Sequence, residues 1–253
     1  MAARSFLGAG DIFINRMVDG VKQGMIGPIK ANKLEIQPQV TTVESTSKGR
    51  NDYGQVLESV NLAQPTTFTL ELKEVTGDIL TMAFLGSAEG FAQTAGTFSD
   101  FPVVVTKKGS WLATGKKNLE DLISVETAAT GGTTLVEGTD YEFNRPLGWI
   151  RILSGSTVAA ASSVFITGGY KAATGTQISG STNTEVRAEI VFDGINQADS
   201  TQCTVEVYEA VLSADSAFDF LADSFGNVSL TGNLKTPVGQ TAPYKVLVQE
   251  PVV

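Results

Sequence analysis

The side chains that could do chemistry in this chain are few, and their types narrow the possibilities quickly. Its 253 residues include no histidine and a single cysteine, Cys203. Without imidazole the chain lacks the commonest general base, the commonest metal ligand and any triad built on His. One cysteine allows neither an intramolecular disulfide nor a multi-cysteine zinc site. It shares a face with Val205 and Val207, the setting of an inert core thiol. Carboxylates come in pairs, Glu71 with Glu74 and Glu120 with Asp121. The polar face of a soluble sheet carries such pairs routinely, and no supporting group stands beside these. Gly109–Lys117, GSWLATGKK, resembles a phosphate loop, but its glycines are one residue too far apart and Lys117 stands where Ser or Thr would meet magnesium. Gly8-Ala9-Gly10 lacks the third glycine of a dinucleotide fingerprint and precedes a strand where a helix is needed. The residues therefore predict no catalysis, no cofactor and no metal.

The elements that would position any site are mostly strands. In Pro65–Lys73, Phe68, Leu70 and Leu72 alternate with Thr67, Thr69, Glu71 and Lys73, the pattern of a half-buried strand. From Thr76 the period changes: Ile79, Leu80, Met82, Ala83 and Phe84 suit one helix face, with Thr76 as N-cap, Asp78 in the first turn and Gly86 as the stop. Earlier strands are expected at 11–17, 23–26 and 32–37, the second ended by Gly27-Pro28. Glu185–Asp193 and Gln202–Tyr208 read as a hairpin whose inward residues are Val186, Ala188, Ile190 and Phe192 against Cys203, Val205 and Val207. A second helix is expected over Ala214–Asp223 from Phe218, Leu221 and Ala222, and strands at Val228–Leu234 and Tyr244–Val248 finish the sheet.

Two stretches stand apart. Pro38–Gln64, with STSKGRNDYG at its centre, is a long polar loop, either a mobile surface segment or a binding arm. Two runs rich in small residues, Ser87–Asp100 and Lys171–Asn183, frame a segment with its own strands. That segment, 101–170, reads as an inserted β module between the halves of a domain formed by 1–100 and 171–253, or as an elaborated outer sheet. With 42% hydrophobic residues the chain can bury a real core. A formal charge of -9, from 18 Lys and Arg against 27 Asp and Glu, argues against a surface that grips nucleic acid. The opening MAARSFLGAGD lacks an apolar signal region and no run approaches a membrane span, so a soluble protein made in the cytoplasm is expected.

The order of parts resembles the major tail tube protein of a long-tailed, siphovirus-type bacteriophage. The GAGDIFINRM and NKLEIQPQ strands, the SKGRNDYG loop, the TTFTLELKEVTGDILTMAFLG strand and helix, and the TEVRAEIVFDG and CTVEVYEAVL hairpin carry the likeness, over about Ala9–Gly86 and Asn183–Thr236. The resemblance implies a mainly β fold, a tail-tube-type β-sandwich with a flanking helix. Its inserted small β module would be a decoration, for which an immunoglobulin-like form is one option. It implies a non-enzymatic virion protein whose hexameric rings stack into a tube, assembled in the bacterial host cytoplasm. The implied partners are further copies of the chain, a tape measure protein, and tail tip or baseplate and tail terminator proteins. Genomic DNA would pass through without specific binding, and no membrane would be involved. It further implies that the long loop, with Glu44, Lys48, Arg50, Asn51, Asp52 and Tyr53, reaches the next ring. If a polar sheet face lines the channel, strand alternation nominates Glu35, Glu71, Glu189 and Glu206, beside Lys33, Lys73 and Arg187. The alternative class is a β-rich adhesin or fibre subunit without catalytic activity.

Overall fold

The computed structural model describes residues 5–249. The fold is mainly β, with antiparallel sheets and a single short helix among the described residues. The chain divides into two compact units, one drawn from residues up to Ala88 and from Ile178 onward, the other being Glu89–Gln177. The inserted unit is thus wider at both ends than the 101–170 read from composition. Among the described residues no helix is long and apolar enough to cross a membrane.

The first unit opens with β1 (Gly8–Val18), β2 (Val21–Ile29), β3 (Ala31–Thr46), β4 (Val56–Leu72) and α1 (Gly77–Ala83). Strand β2 runs through Gly27-Pro28 instead of ending there. Thr76 caps the helix as its sequence predicts, its hydroxyl accepting from the Ile79 N–H at 3.4 Å. The stop is less direct. Leu85 takes the left-handed conformation (φ 48), and the Gly86 N–H donates to the Thr81 carbonyl at 2.8 Å, closing a Schellman-type turn.

After the insert the chain returns as β13 (Val186–Asn196), β14 (Thr201–Ala214), β15 (Val228–Leu234) and β16 (Tyr244–Val248). These strands form one sheet in the order β2-β1-β13-β14-β15-β4-β3, with β16 also on β14. The connectivity bends this sheet. Laid flat, its edge strands β2 and β3 would sit roughly 29 Å apart at ~4.8 Å per strand. Yet only Lys30 joins Ile29 to Ala31, a Cα span of about 7 Å at most. The sheet must therefore roll until its edges nearly meet, and Ile12 and Ile14 of β1 duly pack in one cluster with Phe68, Leu70 and Leu72 of β4.

Strand β14 is the fold line. Its Cys203–Val207 stretch pairs with β16, and its Ala210–Ala214 stretch pairs with β15. Between them the pairing with β13 skips from Val207↔Ile190 to Ala210↔Ala188, a β-bulge at Tyr208–Glu209 that bends the strand. The Glu209 carboxylate sits there nearly buried, within 3.4 Å of Arg187 and 3.3 Å of Lys235.

The expected second helix is absent. Residues 215–227 are irregular, and the charge pattern supplies a reason: Asp215, Asp219 and Asp223 would stack at i, i+4 spacing on one helix face with no cation in the run, each such pair opposing the helix by about 0.2–0.5 kcal/mol.

The small-residue runs that frame the insert contain strands β5 (Ser87–Gln93) and β12 (Ala173–Ser179), which pair with each other as the ribbon through which the chain leaves and re-enters. The second unit contains β6 (Gly96–Val104), β7 (Trp111–Ala113), β8 (Leu119–Glu126), β9 (Tyr141–Asn144), β10 (Trp149–Ile152) and β11 (Ser163–Tyr170). Two three-stranded sheets, β7-β10-β9 and β6-β11-β8, share a core built on Val103, Val125, Tyr141, Ile150, Val164 and Ile166. A turn over residues 145–148 joins β9 to β10. Only glycine fits at Gly148 (φ 69), where a Cβ would lie 1.5 Å from the Lys116 carbonyl oxygen. The phosphate-loop look-alike is strand β7 with its flanks, and no helix follows it.

Each unit has its own core, so the first should fold without the second. Replacing Gly96–Tyr170 by a short Gly-Ser turn keeps β5 and β12 and closes them as a hairpin. The expected product is a folded first unit with a single cooperative thermal transition. Loss of that transition would mean the insert is needed for the main sheet to form.

Candidate assembly surfaces

Strands β3 and β4 are far longer than the sheet they belong to. Their pairing runs from Ala31↔Leu72 to Thr46↔Val56, but β4 contacts β15 only from Leu72 to Thr67. Past the register shift at Gln37/Gln39, where Pro38 interrupts the ladder, the two strands continue alone as a free ribbon. At ~3.3 Å per residue, Gln39–Thr46 alone projects roughly 25 Å. The segment read as a polar loop is therefore mostly hairpin, and only residues 47–55 form the turn.

Two-stranded ribbons are marginal in water and offer two unpaired edges. This one is held by β-branched residues and by local hydrogen bonds. Thr42 and Asn61, directly opposite, bond side chain to side chain at 2.8 Å. At the tip the nearly buried Ser47 donates its N–H to the Gln55 carbonyl (2.7 Å), accepts from the Gly54 N–H (2.9 Å) and caps the Gly49 N–H with its hydroxyl (3.0 Å).

The arm's apolar content is what its polar composition concealed. Val40, Val43, Val56, Leu57, Val60 and Leu62 are all exposed, by 49–61%. Val43 lies directly opposite Val60, with Leu62 on the same face opposite Thr41. Of the residues expected to reach a neighbour, Glu44 lies on β3 opposite Ser59, while Lys48, Arg50, Asn51, Asp52 and Tyr53 cluster in the turn, with Tyr53 78% exposed. Neither Lys48 nor Arg50 has an ion-pair partner among the described residues.

The four glutamates nominated for a channel wall fall into two groups. Glu35 and Glu71 lie on β3 and β4, where Glu35 pairs with Lys33, and Glu71 accepts from Asn32 at 3.1 Å and Asn227 at 2.9 Å. The hydrogen bond to Glu35 holds the Lys33 amine above its ordinary pKa. Glu189 and Glu206 lie on β13 and β14. Glu189 is bound by Lys22 at 2.8 Å and Asn15 at 3.2 Å, and Glu206 is directly opposite Lys245. Arg187 is on the polar face of β13, bonded to Glu185 at 2.7 Å, and Lys73 lies just past the end of β4.

The two pairs sit on different strand pairs of the rolled sheet, β3–β4 and β13–β14, with β15 between them in the strand order. Neither pair is a bare acidic strip, since each of these carboxylates has a cation or amide at hand. Sequence alternation finds the outward residues but carries no information about the roll.

The remaining chemistry-bearing groups stay apart. Cys203 is buried against β16, and burial pushes its thiol pKa up. Among the described residues no group of three His, Cys, Asp or Glu side chains is placed to hold a metal ion.

Residues 5–237 match the family described as Protein of unknown function UCP028589. No curated protein matches the chain.

Proposed function

We propose, from the premise that this chain belongs to that family of proteins of unknown function, that it is a structural subunit whose copies form stacked hexameric rings: the tail tube of a long-tailed bacteriophage. The observation that carries this reading is the arm. A folded unit gains nothing internally from a ribbon that projects roughly 25 Å into water with six exposed Val and Leu residues. The same ribbon gains a great deal when its faces and edges are covered by another copy. In this reading the subunit is not an enzyme, works in the virion, encloses a tape measure protein during assembly and later passes the genome. Tail tip or baseplate proteins and a tail terminator would bound the tube.

Sedimentation velocity over a range of protein concentrations tests the self-assembly. Large, fast-sedimenting species should grow at the expense of monomer as concentration rises. A monomer at every concentration would contradict the proposal.

The channel wall gives a second test in assembled phage. DNA presents about one negative charge per ~1.7 Å, so cations added to the wall retard its passage in a salt-dependent way. Two variants are compared, Glu189→Lys with Glu206→Lys, and Glu35→Lys with Glu71→Lys. The pairs lie on different strand pairs of one rolled sheet, so the variant whose face lines the lumen should slow ejection, most strongly at low salt, and the other should leave it unchanged. Unchanged ejection with both would contradict a lumen lined by either face.

A further inference from the structure

The arm needs an acceptor, and the first unit carries a surface that complements it. Between Ala214 and Val228 the chain reads DSAFDFLADSFGN, with Asp215, Asp219 and Asp223 and no cation. Phe220, Leu221 and Phe225 are exposed by 71%, 91% and 101%. This loop is anchored, not loose: the rings of Phe84, Phe218 and Phe220 form a trio with centroids 4.9–6.2 Å apart. Asp219 accepts from the Leu221 N–H at 2.8 Å, and Asp215 accepts from the Ser229 hydroxyl at 3.2 Å. None of the three carboxylates has an ion-pair partner among the described residues. Beside the trio lies a shallow recess of about 600 Å³, walled by Phe84, Leu85, Ser181 and Phe218.

The arm's tip has the opposite character. Its turn carries Lys48 and Arg50 against a single Asp52, and it ends in the exposed ring of Tyr53. A basic rim around an aromatic anchor matches an acidic rim around an aromatic recess.

Topology keeps the two surfaces from meeting within one copy. The arm departs from the Thr67 end of β4, whereas the acidic loop feeds β15 at Val228, opposite Leu72 at the other end of the same strand. Roughly 17 Å of β4 lies between these ends, with the arm extending further away. Complementary patches at opposite ends of one subunit make a heterologous contact, which repeats head to tail and builds an open stack where its rotation does not close into a ring.

We propose that the arm tip of one copy, through Lys48, Arg50 and Tyr53, docks on the acidic aromatic loop of the next copy, through Asp219, Asp223, Phe220 and the recess beside Phe218. The proposal rests on the assembling role of the arm and names its acceptor. Charge reversal on both sides tests it in the full-length chain, with far-UV circular dichroism and thermal unfolding confirming that each variant is folded. Lys48→Glu with Arg50→Glu, and separately Asp219→Lys with Asp223→Lys, should each raise the concentration needed for assembly by about tenfold or more. Combining all four should restore assembly toward the parent protein. If the folded loop variant assembles as the parent does, or the four-fold variant is no better than either double, the acceptor is overturned. A variant lacking the arm separates the two levels. If it fails to assemble while the loop variant assembles normally, the arm's role stands and its acceptor lies elsewhere; if it assembles normally, both readings fall.

Discussion

Deleting Val40–Ala63 and joining Gln39 to Gln64 through an Asn-Gly turn is expected to leave a folded monomer that no longer assembles at any accessible concentration. The junction is chosen from the register: Gln39 and Gln64 face each other, so a two-residue turn can close the shortened hairpin. Little stability should be lost, because no residue of the deleted segment belongs to the core; the inward series on β4 begins at Phe68. Unfolding free energy should change by about 1 kcal/mol or less, in keeping with exposed positions. Assembly should fail because the variant removes six exposed apolar side chains, both free edges and the tip at once. Thermal unfolding and sedimentation, measured on the same sample, check the two halves of this expectation. Normal high-order assembly by the shortened chain would show that the arm is not an assembly element.

The largest loss of stability is expected at Phe68. Its ring is fully buried, with Ile36 opposite on β3 and Gly232 opposite on β15. Gly232 cannot take a larger residue in compensation, since a Cβ there would lie 1.9 Å from the Val211 carbonyl oxygen. Phe68→Ala therefore leaves a cavity that its neighbours cannot refill, at a cost of about 3–5 kcal/mol. Against a typical domain stability of about 5–15 kcal/mol that loss is enough to unfold a marginal unit. Urea denaturation of the chain with its insert closed off, so that one unit is followed, reads the difference directly. A loss under about 1 kcal/mol would mean the site collapses around the smaller side chain, contrary to the packing described.

Much of the main sheet is legible in the sequence because burial writes a period into it. Phe68, Leu70 and Leu72, and Val186, Ala188 and Ile190, alternate cleanly and are inward in the structure, and Thr76 announces the one helix through its capping hydroxyl. The arm is not legible for the complementary reason. With both faces in water, Val40–Thr46 and Val56–Gln64 have no buried side to impose alternation, so their polar residues read as loop. The run VTTV at 40–43 is the signal that could have been weighed, being β-branched throughout.

Long-range pairing escapes a local reading altogether. Nothing in the spacing says that Lys30 joins the two edge strands, that Glu189 meets Lys22, or that β14 bends at Tyr208–Glu209. The expected helix at 214–223 failed where aromatic contacts to Phe84 and a row of aspartates outweighed a weak 3.6-residue pattern. That same loop became the candidate acceptor for the arm. A stretch whose local preference conflicts with its structure, and which leaves Phe225 fully in water, has chemistry to spare for a partner.

Whether the copies stack into a tube is seen by electron cryomicroscopy of the purified chain at concentrations where it sediments as large species. The expected images are hollow tubes of stacked rings, with the β3–β4 arm of each subunit crossing into the adjacent ring. Solid fibrils, closed dimers or a field of monomers would contradict it.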